Sequence, residues 1–223
     1  MEADRSIEET PMLPDHTLIF DFDGTLADTL PRLVAISNRL APEFGYRQVL
    51  KEDIVTLRGK RSREVLRHLK VPLFKIPALA LRIKAELQQE IHLVPPSIPV
   101  RTVLEQLKSH YRLGIVTSNS VVNVNKFLEA NRMVFFDFVR SSSGLFGKGQ
   151  TLSRVLKEKR LSKSKTLYVG DEVRDIEAAR QCGIETIAVT WGANDADKLS
   201  QFQPRFLIHQ PEELLTILAN WKS

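Results

Sequence analysis

Apolar and polar positions along the chain follow two different regimes. After residue 95, short runs rich in β-branched and aromatic residues alternate with stretches whose apolar positions recur three and four apart. The runs "RLGIVTS" (112–118), "FFDFVRS" (135–141), "KTLYVGD" (165–171), "ETIAVTW" (185–191) and "RFLIH" (205–209) read as strands, and "HTLIFD" (16–21) supplies an earlier one. Between them, "VRTVLEQLKSH", "VVNVNKFLEAN", "QTLSRVLKEK" and "VRDIEAARQCG" carry the one-sided stripe of amphipathic helices. A last helix opens near Pro211 and places Leu214, Leu215 and Leu218 on its apolar face. Such alternation predicts an α/β fold, a Rossmann-like three-layer core with a parallel sheet between helices.

The segment between the first and second strands obeys only the helical period. "LPRLVAISNRLAPEFG", "SREVLRHLK" and "IPALALRIKAELQQEI" read as helices, and the segment ends at Pro95, Pro96 and Pro99, which stop helix continuation. The expected organisation is an N-terminal tail (1–15), an α/β core (16–29 and 98–223) and a helical domain (30–97) inserted after the first strand. The acidic, polar start "MEADRSIEETPMLPD" is the opposite of a secretory signal. A single cysteine, Cys182, excludes an internal disulfide framework. No run approaches the ~18 apolar residues that span a bilayer, so a cytoplasmic protein without membrane partners is expected.

Charge divides the chain along the same boundary. Residues 30–97 hold thirteen Lys and Arg against six Asp and Glu, a net of +7, whereas the remainder nets −2 and the whole chain +5. Nucleic-acid binders interleave such charge with aromatics or a recognition motif, and neither is present, so no nucleic-acid partner is expected. A basic segment facing a small anionic substrate fits as well as solvated helix faces. Oligomeric state stays open between monomer and homodimer.

Ligands of open parallel sheets gather beyond the C-terminal ends of the strands. Those ends offer Asp21 and Asp23 after the first strand, Thr117 and Ser118 after the second, and Asp171 with Asp175 after the fourth. Lys148 lies between, flanked by glycines in "FGKGQ" at the mouth of a helix. Residues i and i+2 of extended backbone point to one side, so Asp21 and Asp23 share a site while Phe20 and Phe22 turn to the core. Gly24 permits a tight turn whose N–H groups hold an anion. Three acids at adjacent strand ends raise one another's pKa unless a cation joins them. Oxygen ligands without a Cys/His cluster suit Mg²⁺ rather than zinc. Thr117 and Lys148 then supply a hydroxyl donor and a positive charge for phosphate.

"DFDGTLADT", "GIVTSN", Lys148 and "VGDEVRD" resemble, in order, the four motifs of the haloacid-dehalogenase superfamily. Within it the chain is most similar to phosphoglycolate-phosphatase-like members with a small helical cap. The resemblance implies a Mg²⁺-dependent phosphomonoester hydrolase acting on a small phosphorylated metabolite, with phosphoglycolate the expected substrate. Asp21 is then the nucleophile that forms an aspartyl-phosphate, and Asp23 the general acid and base. The Asp21 carboxylate, the Asp23 carbonyl and Asp171 hold the metal. Thr117, Lys148, Asn119 and the backbone N–H groups of Gly24 and Ser118 bind the phosphoryl group. Asp175 orients Lys148, with Glu172 behind it, although Asp175 also suits a helix N-terminus. In capped members a loop reads the substrate, and the basic run "TLRGKRSREVL" (56–66) with Arg61 is either its counterpart or an ordinary basic surface turn. A sugar phosphomutase and a non-catalytic phosphate-binding protein are the alternatives. Asp28 is expected to start the first cap helix. Trp191 and Gly192 either border the site or pack the fold, and Cys182 is read as a small buried residue.

Overall fold

The computed structural model describes residues 14–57, 60, 62–142 and 147–221. Six strands form one fully parallel sheet in the order β3-β2-β1-β4-β5-β6. They are β1 (Thr17–Phe20), β2 (Arg112–Thr117), β3 (Phe138–Ser141), β4 (Thr166–Gly170), β5 (Glu185–Val189) and β6 (Phe206–Ile208). The helices are α1 (Thr29–Phe44), α2 (Lys51–Leu57), α3 (Ser62–His68), α4 (Ile76–Glu90), α5 (Arg101–Lys108), α6 (Val121–Ala130), α7 (Gly147–Glu158), α8 (Val173–Cys182), α9 (Ala196–Ser200) and α10 (Glu213–Trp221). Three 3₁₀ turns, Leu73–Lys75, Ile91–Leu93 and Lys163–Lys165, join them.

Period-2 side-chain alternation along buried strands builds the layers. Leu18 and Phe20 of β1, Leu113 and Ile115 of β2, and Leu167 and Val169 of β4 face one apolar layer with α5, α6 and α10. Ile19, Val116 and Tyr168 face the opposite layer, against Leu152 and Val155 of α7 and Ala178 and Ala179 of α8. The central strand β1 pairs with both β2 and β4, which puts the reversal of strand order, and its crevice, beside its C-terminal end.

The described elements of the segment inserted after β1 are all α-helices and 3₁₀ turns, joined by short irregular stretches. Helices α1 and α4 are tied by Arg32 to Glu90 (3.1 Å) and by Arg39 to Glu86 and Glu90. Gly45 closes α1 in the left-handed region, at φ 71°. The insert shares a continuous apolar cluster with the core, because Ile91 and Val94 are buried among Phe127 and Leu128 of α6. Its two connections run side by side: Asp28 N–H donates to Pro95 O (3.0 Å) and Ser97 N–H to Leu26 O (3.0 Å).

Several boundaries differ from expectation for local reasons. β3 begins at Phe138, because the Asp137 carboxylate accepts the Leu113 N–H (2.8 Å) and leaves Phe135 stacked on Phe136 ahead of the strand. β5 ends at Val189, and Trp191 leaves the sheet to donate to Thr25 O (3.1 Å). Helix α7 starts at Gly147, so Lys148 stands in its first turn and not in a preceding loop. The short helices α2 and α9 lacked a sequence stripe; each is started by an aspartate, Asp53 accepting from Leu50 N (2.8 Å) and Asp195 from Lys198 N (2.8 Å). Asp28 does occupy the N-cap position of α1, without a side-chain cap bond. No described helix is long and apolar enough to cross a membrane.

Candidate active site

The acids converge because β1 and β4 are neighbours in register. Phe20 pairs with Val169, and Asp21 N–H extends the ladder to Val169 O (2.8 Å). This carries Asp21 and Asp171 to the same end of the sheet, buried to 2 % and 0 % exposure. Asp175, on the first turn of α8, is also fully buried, and one carboxylate oxygen from each of Asp21, Asp171 and Asp175 lies within 4.8 Å of the others.

Lys148 is the cation set against them. Its ammonium donates to Asp21 Oδ2 (2.7 Å) and Asp175 Oδ1 (2.6 Å), and it lies 5.6 Å from the centre of the Tyr168 ring. Burial alone would lower its pKa, but Asp175 and Asp21 outweigh that and hold it well above the ordinary lysine value. Asp175 therefore does both of the things open to it, since its Oδ2 accepts the Glu172 N–H (3.0 Å) at the start of α8. Glu172 itself pairs with Arg174 (2.5 Å).

Asp171 is held on both oxygens. Thr25 Oγ1 donates to Oδ1 (2.6 Å) and Ala193 N–H to Oδ2 (2.7 Å). Burial, then Asp175 and Asp21, push its carboxyl well above the usual range. Close packing here depends on missing side chains: a Cβ on Gly24 or Gly192 would lie 2.4 or 2.2 Å from Asp171 Oδ2. Gly24 also has φ +79°, where a side chain is strained.

Asp23 is partly exposed, unlike the buried trio. Asn119 Nδ2 donates to both its oxygens (3.0 and 3.2 Å), and the Thr29 hydroxyl is a further partner. Desolvation, reinforced by the Asp21 charge, pushes its carboxyl up to about 6. Such a group can exchange a proton near neutral pH. Thr117, at the end of β2, is fully buried and accepts the Asn119 N–H on Oγ1 (3.0 Å), while Ser118 next to it is exposed.

Asp21, Asp23, Gly24, Thr117, Ser118, Asn119, Lys148, Asp171, Glu172 and Asp175 thus all lie at the C-terminal edge of β1, β2 and β4. Arg61 lies outside the described residues. His68 is engaged within the helical insert by Asp53 (2.9 Å). Sequence reasoning left Thr25, Thr29 and Ala193 without a role at the acids, while Trp191 and Gly192, left open between site and packing, lie against Thr25 and Asp171. A threonine inside the "DGT" motif was the available signal for Thr25, and the small residues Gly192 and Ala193 after a strand for the 191–194 loop. Cys182 is buried and donates to Gly149 O (3.1 Å).

The chemistry available is phosphoryl-type: three buried carboxylates exceed one lysine in charge, and their all-oxygen donor set suits a hard dication. The family model for haloacid dehalogenase-like hydrolases matches residues 18–189. Over 202 residues the chain is 37 % identical to a phosphoglycolate phosphatase of Synechococcus elongatus, covering 90 % of this chain and 95 % of that one. It is 25 % identical to the pyrophosphatase PpaX of Bacillus mycoides, over 92 % and 97 % of the two chains. Among solved structures, a haloacid dehalogenase-like hydrolase of Streptococcus pneumoniae shares the fold with a TM-score of 0.81 at 23 % identity, covering 91 % of this chain and 98 % of that one. Fold, motif order and family match agree, and the chain belongs to the haloacid dehalogenase-like hydrolases.

Proposed function

We propose that this phosphatase hydrolyses phosphoglycolate in the cytoplasm, with residues 30–97 acting as a cap over the site. The observation that carries the reading is the pairing of a deeply buried acid, Asp21, with the Lys148 ammonium at 2.7 Å, two residues from a second acid whose carboxyl desolvation pushes up to about 6. The 37 % identity to a phosphoglycolate phosphatase supports the substrate.

An Asp21 carboxylate oxygen attacks phosphorus, forming an acyl-phosphate bond as the bond from phosphorus to the leaving oxygen breaks. Asp23 gives its proton to that oxygen, and glycolate departs. Asp23 then takes a proton from water as the water attacks the same phosphorus, which releases inorganic phosphate and restores Asp21. Lys148 and Thr117 neutralise and orient the phosphoryl oxygens, and Asp175 holds Lys148 in place. The Asp21 carboxylate, the Asp23 carbonyl and Asp171 would hold Mg²⁺, a usual ion of family phosphatases. When bound, that ion supplies positive charge to the phosphoryl group among otherwise repelling acids.

A substrate panel tests this: phosphoglycolate, pyrophosphate, hexose phosphates and 4-nitrophenyl phosphate, each with Mg²⁺ and with chelator. Phosphate release should require Mg²⁺, show its highest kcat/KM with phosphoglycolate, and fall by about a thousandfold or more in Asp21→Asn. A preference for pyrophosphate would overturn the substrate, and activity surviving Asp21→Asn would overturn the mechanism.

A further inference from the structure

Asn123, on the first turn of α6, is 1 % exposed and does not reach the reacting acids. Its Nδ2 donates to Asn119 Oδ1 (2.8 Å), while its own Oδ1 makes no hydrogen bond among the described residues. A buried acceptor left unpaired is costly, and an apolar side chain of similar size would avoid that cost. What the amide supplies in return is a single directed N–H.

That N–H joins a backbone donor in setting which way Asn119 faces. Asn119 Oδ1 accepts from two donors, Asn123 Nδ2 and the Ser120 backbone N–H (2.8 Å each). With its oxygen claimed on that side, the Asn119 amide can only turn Nδ2 toward Asp23, where it meets both carboxylate oxygens at 3.0 and 3.2 Å. The reversed amide would set an oxygen against the Asp23 carboxylate and two donors against an NH₂ group. We propose that Asn123 is a positioning residue for the general acid: acting through Asn119, it fixes the orientation in which the Asp23 carboxyl faces the leaving oxygen. Asn123 makes no hydrogen bond to Asp23 among the described residues and meets it only by way of Asn119. This inference rests on the assignment of proton transfer to Asp23.

Leaving-group dependence separates positioning from packing. Release of glycolate from phosphoglycolate needs a proton on the leaving oxygen, whereas 4-nitrophenolate departs without one. The parameter kcat/KM reports the steps up to formation of the aspartyl-phosphate, so a misaligned acid registers there for the first substrate only. Asn123→Leu and the near-isosteric Asn123→Asp should each lower kcat/KM for phosphoglycolate by about tenfold or more, and for 4-nitrophenyl phosphate by less than about threefold. In an Asn119→Ala background, where the amide to be oriented is gone, Asn123→Leu should have less than about a twofold further effect. Equal losses on both substrates, an undiminished effect in the Asn119→Ala background, or a fall in Tm of more than about 10 °C in both variants would overturn the proposal. Asp23→Asn is the control for the underlying assignment. If it spares phosphoglycolate turnover, the acid–base reading fails; if it abolishes turnover while both Asn123 variants remain fully active, only the positioning role fails.

Discussion

Adding one methyl group at Gly192 should disable the site by displacing what packs against Asp171. The Cβ of Gly192→Ala would lie 2.2 Å from Asp171 Oδ2 and 2.3 Å from its Cβ and Cγ. Ordinary contact begins at about 3.4 Å, so either the acid or the 191–194 loop must retreat by roughly 1 Å. Asp171 has no solvent-facing space, with 0 % exposure and both oxygens bonded, so the loop is the part that yields. Its retreat lengthens the hydrogen bond from Ala193 N–H to Oδ2, worth about 0.5–1.5 kcal/mol. Overpacking adds about 1–3 kcal/mol. Together these, about 1.5–4.5 kcal/mol, predict a Tm lower by about 3–18 °C, and a displaced acid of this kind costs about a hundredfold in kcat/KM. Thermal unfolding in chelator, beside a Mg²⁺ titration of phosphatase activity, measures both, and the half-saturating Mg²⁺ concentration should rise. A variant that keeps its Tm and its Mg²⁺ response would show that the loop does not position Asp171.

Two further outcomes follow from the charge imbalance. In chelator, the folded-state carboxyls of Asp23 and Asp171 are raised, the first to about 6, so the folded protein binds more protons than the unfolded chain above about pH 4. The Tm of the chelated protein should therefore fall as pH rises from about 4 through 6 and beyond, and Mg²⁺ should restore more stability at about pH 8 than at about pH 5; a flat chelated profile would refute this. Lys148→Met leaves Asp21 and Asp175 buried beside each other without their cation. Its kcat should drop by about a hundredfold or more, and its Tm deficit, measured by circular dichroism, should be larger at about pH 8 than at about pH 5, where a proton replaces the lost charge.

The sheet, its parallel sense and the helical insert were legible because each rests on a local period. Leu18, Phe20, Leu113 and Ile115 alternate inward on one face, and no residue need be known beyond its own strand to see it. The cluster of acids was legible for a related reason: strand ends of a parallel sheet meet, so residues that end strands meet too. The seven residues of α2 and five of α9 were not, since one or two turns show no stripe. Nor was the start of α7, where glycines beside Lys148 read as loop although both are helical.

What local pattern lacks is the means by which the site's charge is held. Asp171 depends on a hydroxyl 146 residues away in sequence, and Asp23 on an amide 96 residues away. Neither partner differs in type from an ordinary surface residue, so only tertiary placement gives it meaning. The two acids are supported differently, and the difference matches the part each takes in the proposed mechanism. Asp171 is fully buried, carries a donor on each oxygen and has glycines packed against its carboxylate, an arrangement suited to a fixed ligand. Asp23 is partly exposed, and its partners are the Asn119 amide across both oxygens and the Thr29 hydroxyl, with no backbone donor holding it among the described residues. Burial and donor geometry, more than residue type, thus separate a charge that must stay from one that must move.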